Sequence, residues 1–226
     1  SVAQTSLPDD LQWVIQTSAG PAITNAVLQS WSPAPTAAIS AGLARPTDAG
    51  GFGCSQTAYS AFPAGSIALV QRGSCNVSDK AVYAQAAGAV AVIIYNNAPG
   101  DPPSFSFGST VPVTVPTFSI SQSAGQGLVA ALANGPVTAT IDPANAVSLA
   151  NTMVGTSSRG TTMGDNRAKP DIGAPGAWLS AETGTATEET NFGGTSGAAP
   201  VVSAAAALLI DKFPEAAPLT IKARLL

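Results

Sequence analysis

The sequence predicts an α/β protein in which a compact α/β unit interrupts an outer domain. Residues 66–96 contain a strand, a helix and a continuously apolar strand in that order, which is typical of a parallel βαβ unit. The flanking segments, 1–32 and 144–226, have too few strands to cover an apolar helix, so we expect them to be two pieces of one domain. The predicted division is therefore 1–32, 33–143 and 144–226.

The elements of the inner unit follow from apolar runs and turn residues. The predicted strands are 66–72, 89–96, 111–120 and 137–142, and the predicted helices are 77–89 and 121–135. Ser78 is the expected N-cap of the first helix, and Asn134 with Gly135 ends the second. The prolines of 111–120 place that strand at a sheet edge or in bulges.

The outer pieces are richer in turns. Short strands are predicted at 11–16, around 148–154 and at 177–181, with a final helix over 219–226. The helix that ends at Ile210 is apolar on nearly all faces and is expected in a core. Because proline is tolerated only in the first helical turn, Pro200 predicts a helix start near Ala198.

Charge and hydropathy exclude some partners. The net charge of −4 comes from 13 acidic and 9 basic residues without a Lys/Arg cluster, so neither nucleic acid nor an anionic membrane is an expected partner. The longest apolar run, 198–210, is too short to span a bilayer. Low charge with abundant small residues is common in secreted hydrolases and also fits any neutral, well-packed domain; an extracellular location is the expectation.

The chain has two cysteines, Cys54 and Cys75. We predict a disulfide between them that would stabilise the fold by about 3 kcal/mol, with free buried thiols as the alternative.

Ser196 is the candidate nucleophile. It falls in the stretch "NFGGTSGAAP", at the amino end of a helix, where unpaired backbone N–H groups and the helix dipole stabilise negative charge. Gly193, Gly194 and Gly197 remove side chains around it, so a substrate backbone could approach closely. The alternative is that Ser196 or Thr195 is only an N-cap.

Three blocks resemble the subtilisin-like serine proteases. "GGTSGAAPVVSAAAALL" resembles the block around that family's nucleophile, and 154–162 ("VGTSSRGTT") and 168–181 ("AKPDIGAPGAWLSA") resemble two further blocks in the same order. The resemblance implies that Ser196 is the nucleophile and that its N–H is an oxyanion-hole donor. It also implies that Gly194 and Thr195 shape the turn and that 169–176 is structural.

The inner unit resembles the protease-associated (PA) domain, over residues 65–97 ("GSIALVQRGSCNVSDKAVYAQAAGAVAVIIYNN") and 111–132. Some secreted subtilisin-like proteases carry this domain inserted before the serine block. The two resemblances together imply a partial subtilisin-like parallel-sheet catalytic domain interrupted by an inserted α/β PA domain.

The chain contains no histidine, so it has no general base of the Ser-His-Asp type. We expect it to be inactive alone and to be the carboxy-terminal two thirds of a longer protease, whose Asp and His blocks and oxyanion asparagine lie upstream. The alternative is an inactive protein- or peptide-binding module built on the PA domain. A zinc aminopeptidase with a PA domain is a third reading, against which the missing histidines and the serine block count.

No cofactor is expected. The glycines at 125 and 127 only superficially match a dinucleotide fingerprint, since no suitably spaced acidic residue follows. No metal is assigned, although a structural Ca²⁺ site built from Asp and carbonyl oxygens stays open. The expected partner is a protein or peptide substrate, and a monomer is expected. Glu182, Glu188 and Glu189 are interpreted as a solvated acidic loop.

Overall fold

The chain divides into two compact units. In the computed structural model, which describes residues 1–181 and 183–226, the inner unit is Gln12–Val147 and the outer unit combines Ser1–Leu11 with Ser148–Leu226. Residues 12–32 lie in the inner unit rather than in the first outer piece, because their strands are hydrogen-bonded into the inner sheet.

The elements are numbered along the chain. The strands are β1 Val2–Thr5, β2 Leu11–Thr17, β3 Ile23–Leu28, β4 Ile39–Ala44, β5 Ile67–Gln71, β6 Ala91–Tyr95, β7 Thr117–Ile120, β8 Thr138–Ile141, β9 Val147–Ser148, β10 Ile172–Pro175, β11 Ala177–Ala181 and β12 Glu189–Gly193. The helices are α1 Val77–Ala86, α2 Gln122–Asn134, α3 Thr195–Lys212 and α4 Pro218–Leu225, with 3-10 turns at Gln56–Tyr59 and Pro143–Asn145.

The inner sheet closes on itself. Its strands follow the order β3-β7-β6-β5-β4-β8-β2-β9, and β2 also pairs with β3. Strands β4 to β7 are parallel, whereas β8 runs antiparallel to β4 and to β2. The parallel βαβ unit predicted from residues 66–96 is therefore present as β5, α1 and β6.

Both faces of β5 and β6 are buried. Ile67 and Leu69 belong to a cluster that includes Leu128 of α2, whereas the alternate residues Ala68 and Val70 pack with alanines of α1. Successive strand residues point to opposite faces, so burial on both sides explains the continuous apolar runs in the sequence.

Two local expectations in the inner unit are wrong. Asn76, not Ser78, is the N-cap of α1, and the Ser78 hydroxyl instead accepts a hydrogen bond from the Gly108 N–H at 3.0 Å. The strand predicted at 111–120 begins only at Thr117 and lies between β3 and β6, not at an edge. The prolines precede β7, so its ladder retains its N–H donors.

The outer unit is sparse in strands. It holds a parallel pair, β1 with β10, and an antiparallel pair, β11 with β12, so the parallel-sheet catalytic domain inferred from the sequence is represented by two parallel strands. Residues predicted as a strand around 148–154 contribute β9 and a single bridge from Met153 to Thr5.

Helix α3 differs most from expectation. It contacts β1, β10 and α4, yet Leu208 and Ile210 are 73% and 53% exposed. An apolar helix was expected in a core, but too few strands of this unit cover it. Within the described part of the chain, no helix combines the length and hydropathy needed to cross a membrane.

Candidate active site

Ser196 lies in the first turn of α3 and is exposed. Gly194, whose φ of 95° suits a residue without a side chain, is the N-cap, and no side chain caps the helix. The Gly194 carbonyl accepts hydrogen bonds from the N–H groups of Gly197 at 3.0 Å and Ala198 at 3.2 Å. The N-cap alternative for Ser196 and Thr195 is therefore wrong, and their own N–H groups stand in the first turn, where a helix offers them no acceptor.

Pro200 lies inside the helix. The start predicted near Ala198 is wrong, because α3 begins at Thr195 and places Pro200 in its second turn. A proline has no N–H, so the carbonyl of Ser196, four residues earlier, receives no helical hydrogen bond from it. Pro200 therefore removes one hydrogen bond from the helix at Ser196.

The glycines at this turn permit a close backbone approach. A methyl group at Gly197 would lie 2.6 Å from the Gly176 carbonyl oxygen, and one at Gly193 would lie 3.2 Å from the same atom. The Trp178 indole N–H donates to the Gly197 carbonyl at 3.3 Å. The segment 168–181 and the serine turn, which the sequence marked separately, are thus packed together.

A cleft of about 330 Å³ opens beside Thr195. Its walls include Ser157 and Thr161 from the block 154–162, and Lys169 from the block 168–181. All three motif blocks of the outer unit therefore meet next to the residue that precedes Ser196.

Asp171 ties the segment 168–181 to the last helix. Its carboxylate accepts from the Lys169 ammonium at 2.6 Å and from the Lys222 ammonium of α4 at 2.8 Å. The hydrogen bond from Lys169, followed by those from Lys222 and the Ser1 amine, holds the pKa of Asp171 far below its usual range. Asp171 is therefore a paired anion and unsuited to accept a proton as a general base.

No imidazole is available in this chain to take a proton from Ser196. The sequence has no histidine, and residues 1–181 and 183–226 contain no group of three or more His, Cys, Asp or Glu that could hold a metal ion. Of the predicted acidic loop, Glu188 and Glu189 are exposed, whereas Glu182 lies outside the described residues. A serine hydroxyl is a weak nucleophile without a base, and the exposed Ser196 hydroxyl has no imidazole in this chain to act as one.

In the inner unit, Cys54 and Cys75 form a disulfide. Beside it lies Lys80, which sequence reasoning missed. Its side chain is fully buried, and its ammonium donates to the carbonyls of Phe52 and Gly73, each at 2.7 Å. Burial lowers the pKa of Lys80 to about 8, against the opposing charge of Asp48. The sequence did contain a signal for its burial: Lys80 and the buried Ala84 are four residues apart and so lie on the same face of α1.

Comparison with protein families identifies the inner unit. The family model of the PA domain matches residues 37–128, so the chain contains a PA domain there, as its resemblance implied.

Curated relatives are peptidases. The minor extracellular protease Vpr of Bacillus subtilis is 33% identical over 168 residues, which cover 72% of this chain and 20% of that protein. The PII-type proteinase of Lacticaseibacillus paracasei is 39% identical over 163 residues, covering 67% and 8%. Leucine aminopeptidase 2 of Arthroderma otae is 36% identical over 91 residues, covering 40% and 18%. The chain spans a fifth or less of the length of these relatives.

Solved structures give weaker likenesses. A zinc aminopeptidase from Bacillus subtilis matches with a TM-score of 0.48 and 28% identity, covering 62% of this chain and 32% of that one. The subtilisin-like protease Apa1 from Pseudoalteromonas sp. AS-11 matches with a TM-score of 0.45 and 20% identity, covering 96% and 42%. Both TM-scores lie below 0.5, so neither likeness defines the fold.

Proposed function

We propose that this chain is the serine-bearing part of a secreted, subtilisin-like serine endopeptidase whose catalytic domain is interrupted by the PA domain. In this proposal Ser196 forms an acyl-enzyme with peptide bonds of proteins. The Asp and His of the triad come from sequence before Ser1. The chain alone is inactive, because it has no histidine to act as the base.

The observation that carries the proposal is the meeting of three motif blocks at the amino end of α3. Segments 154–162 and 168–181 line the cleft at Thr195, and Gly176 packs against Gly197. This arrangement packs the turn at Ser196 against Gly176, and a positioned nucleophile requires such support.

The residues at the turn have complementary tasks in the proposed reaction. The Ser196 hydroxyl attacks the peptide carbonyl while a histidine supplied from upstream accepts its proton. The Ser196 N–H donates to the oxyanion that forms, and the positive end of the α3 dipole stabilises that charge. Gly194 and Thr195 set the direction of the turn. This chemistry needs no cofactor.

Similarity to a protease extends beyond the PA domain and supports a peptidase function. The 168 residues aligned with the extracellular protease of Bacillus subtilis exceed the segment 37–128, so that similarity includes residues outside the PA domain. The aminopeptidase relative, in contrast, aligns over 91 residues, which is about the length of the segment 37–128. A zinc mechanism lacks support in this chain, since imidazole ligands of the usual zinc sites are missing from its sequence.

The PA domain favours a second candidate function, an inactive module that binds protein or peptide. Its closed sheet and two buried clusters make the inner unit complete by itself. In the protease proposal the same unit modulates access to the cleft or binds the protein substrate.

The protease proposal also includes protein or peptide substrates, an extracellular location and a monomeric state. It assigns no structural Ca²⁺ site.

Hydrolysis of a protein substrate distinguishes the two functions. The chain should be compared with its version extended by the upstream coding sequence, using fluorescent casein. We expect hydrolysis by the extended protein alone and its loss in Ser196→Ala. Ser203→Ala is the matched control, because Ser203 lies on the same helix and only donates to the Ala199 carbonyl. Equal casein hydrolysis by Ser196→Ala and the unchanged extended protein would refute the protease proposal.

A further inference from the structure

The disulfide of the inner unit lies against a buried lysine. The Lys80 Nζ is 3.4 Å from the Cys54 Sγ, and its two carbonyl acceptors, on Phe52 and Gly73, lie within two residues of the two cysteines. The Phe52 ring lies 5.4 Å from the same ammonium. Lys80 therefore contacts both loops that the Cys54–Cys75 bond joins.

This ammonium has no direct counter-ion. Among the described residues, no carboxylate lies within ion-pair distance of Lys80. Asp48 acts on it only at longer range, since its carboxylate accepts the N–H groups of Phe52 and Gly53 at 3.1 and 3.0 Å. A buried ammonium that donates only to carbonyl oxygens has no negative charge close by to compensate it. A negative charge that forms beside it is therefore stabilised.

We propose that Cys54–Cys75 is a thiol–disulfide exchange site in which Lys80 stabilises Cys54 as the leaving thiolate, with a dithiol as the reductant. Both cysteines are half-buried, whereas the Lys80 side chain is fully buried. This site belongs to the inner unit, and the inference is independent of the peptidase proposal.

The exchange proceeds in two balanced steps. A thiolate of the dithiol attacks the Cys75 Sγ, the S–S bond breaks, and its electron pair leaves on the Cys54 Sγ beside Lys80. The second sulfur of the dithiol, as a thiolate, then attacks the reductant sulfur bound to Cys75 and releases Cys75. Of the two protons lost by the dithiol, Cys75 takes one and solvent the other. The dithiol is oxidised to a cyclic disulfide. Attack at Cys75 is favoured because the sulfur of lower pKa leaves faster.

Two other titratable groups face Lys80. Asp48 adds a negative charge from the loop before Phe52. Tyr59, on the 3-10 turn, donates to the Lys80 backbone carbonyl at 3.4 Å, and burial raises the pKa of Tyr59 well above its usual value. Tyr59 is thus neutral at pH 7, and Asp48 opposes the effect of Lys80, so any lowering of the Cys54 thiol pKa would come from Lys80.

The first test uses single-cysteine variants of the full chain. The pH dependence of iodoacetamide alkylation gives the pKa of the Cys54 thiol in Cys75→Ser and of the Cys75 thiol in Cys54→Ser. We expect the pKa of Cys54 to be about 6, roughly two units or more below that of Cys75, because only a thiol that is mostly ionised at pH 7 shifts the reduction equilibrium tenfold there. Equal values, or a lower value for Cys75, would overturn the proposal.

The second test removes the charge of Lys80. Lys80→Gln keeps amide donors for the two carbonyls, and Lys212→Gln on the exposed end of α3 is the matched control. After equilibration with oxidised and reduced dithiothreitol at pH 7, we expect an equilibrium constant for reduction at least tenfold lower in Lys80→Gln, about 30 mV. The control should equal the unchanged protein. An unchanged constant in a folded Lys80→Gln would contradict the proposal, and if that variant fails to fold, the alkylation comparison decides.

Discussion

Gly125 is the position where the packing of α2 on the inner sheet is most sharply testable. A methyl group there would overlap the Cβ and Cγ of Tyr95 and lie 2.7 Å from its Cδ2. Ordinary carbon–carbon contacts are about 3.5–4.0 Å, so α2 or Tyr95 would have to move by roughly 1 Å. Tyr95 cannot move freely, because it is 4% exposed and its hydroxyl donates to Gln71 at 3.1 Å.

We expect Gly125→Ala to lower the free energy of unfolding. Overpacking costs about 1–3 kcal/mol, and the severe overlap with Tyr95 places the cost here at roughly 2–3 kcal/mol. The better helix propensity of alanine returns roughly 1 kcal/mol, which leaves a net loss of about 1–2 kcal/mol. Gly127→Ala is the matched control on the same helix, since nothing lies within 4 Å of its added methyl group. It should be neutral or stabilising. Urea unfolding followed by circular dichroism measures both variants, and equal stability would refute the packing argument.

Two further predictions concern the inner unit. Cys54→Ser with Cys75→Ser should lose about 3 kcal/mol of unfolding free energy, because a cross-link across 21 positions restricts the unfolded chain. An unchanged urea midpoint would contradict this. Burial lowers the pKa of Lys80 to about 8 in the folded protein, whereas its ordinary value, near 10.4, applies to the unfolded chain. Between these two pH values the unfolded state therefore binds more protons than the folded state. Stability should therefore rise from pH 8 to 10 in the unchanged protein and stay flat in Lys80→Gln. Urea midpoints across that range provide the test, and a fall in the unchanged protein would contradict it.

Much of the inner unit could be predicted from the sequence. Residues 67–71 and 91–95 are buried on both faces, so their apolar runs identified them directly as neighbouring strands. The end of α2 at Asn134 also followed from the glycine after it, which has a φ of 155°. The strand order and the pairing of β2 with β3 depend on long-range contacts that no local pattern contains.

The outer unit was less predictable for a physical reason. The apolar pattern of α3 indicates that the helix is suited to a buried position. Whether it is buried depends on how many strands cover it, and the pattern of the helix does not contain that information. Lys80 was missed because a lone lysine on a helix is ordinarily a solvated side chain, and its burial depends on loop carbonyls outside the helix, one of them at Phe52. The motif blocks near Ser196 were found, but their contact through Gly176 required coordinates.

Covalent labelling shows whether Ser196 is a nucleophile that residues upstream of this chain activate. The extended protein should be treated with a fluorophosphonate and the modified peptide mapped by mass spectrometry. We expect a phosphonyl group on Ser196 in the extended protein and none on the chain alone. Labelling at another serine, or an unlabelled Ser196 in an extended protein that carries its Asp and His blocks, would contradict it.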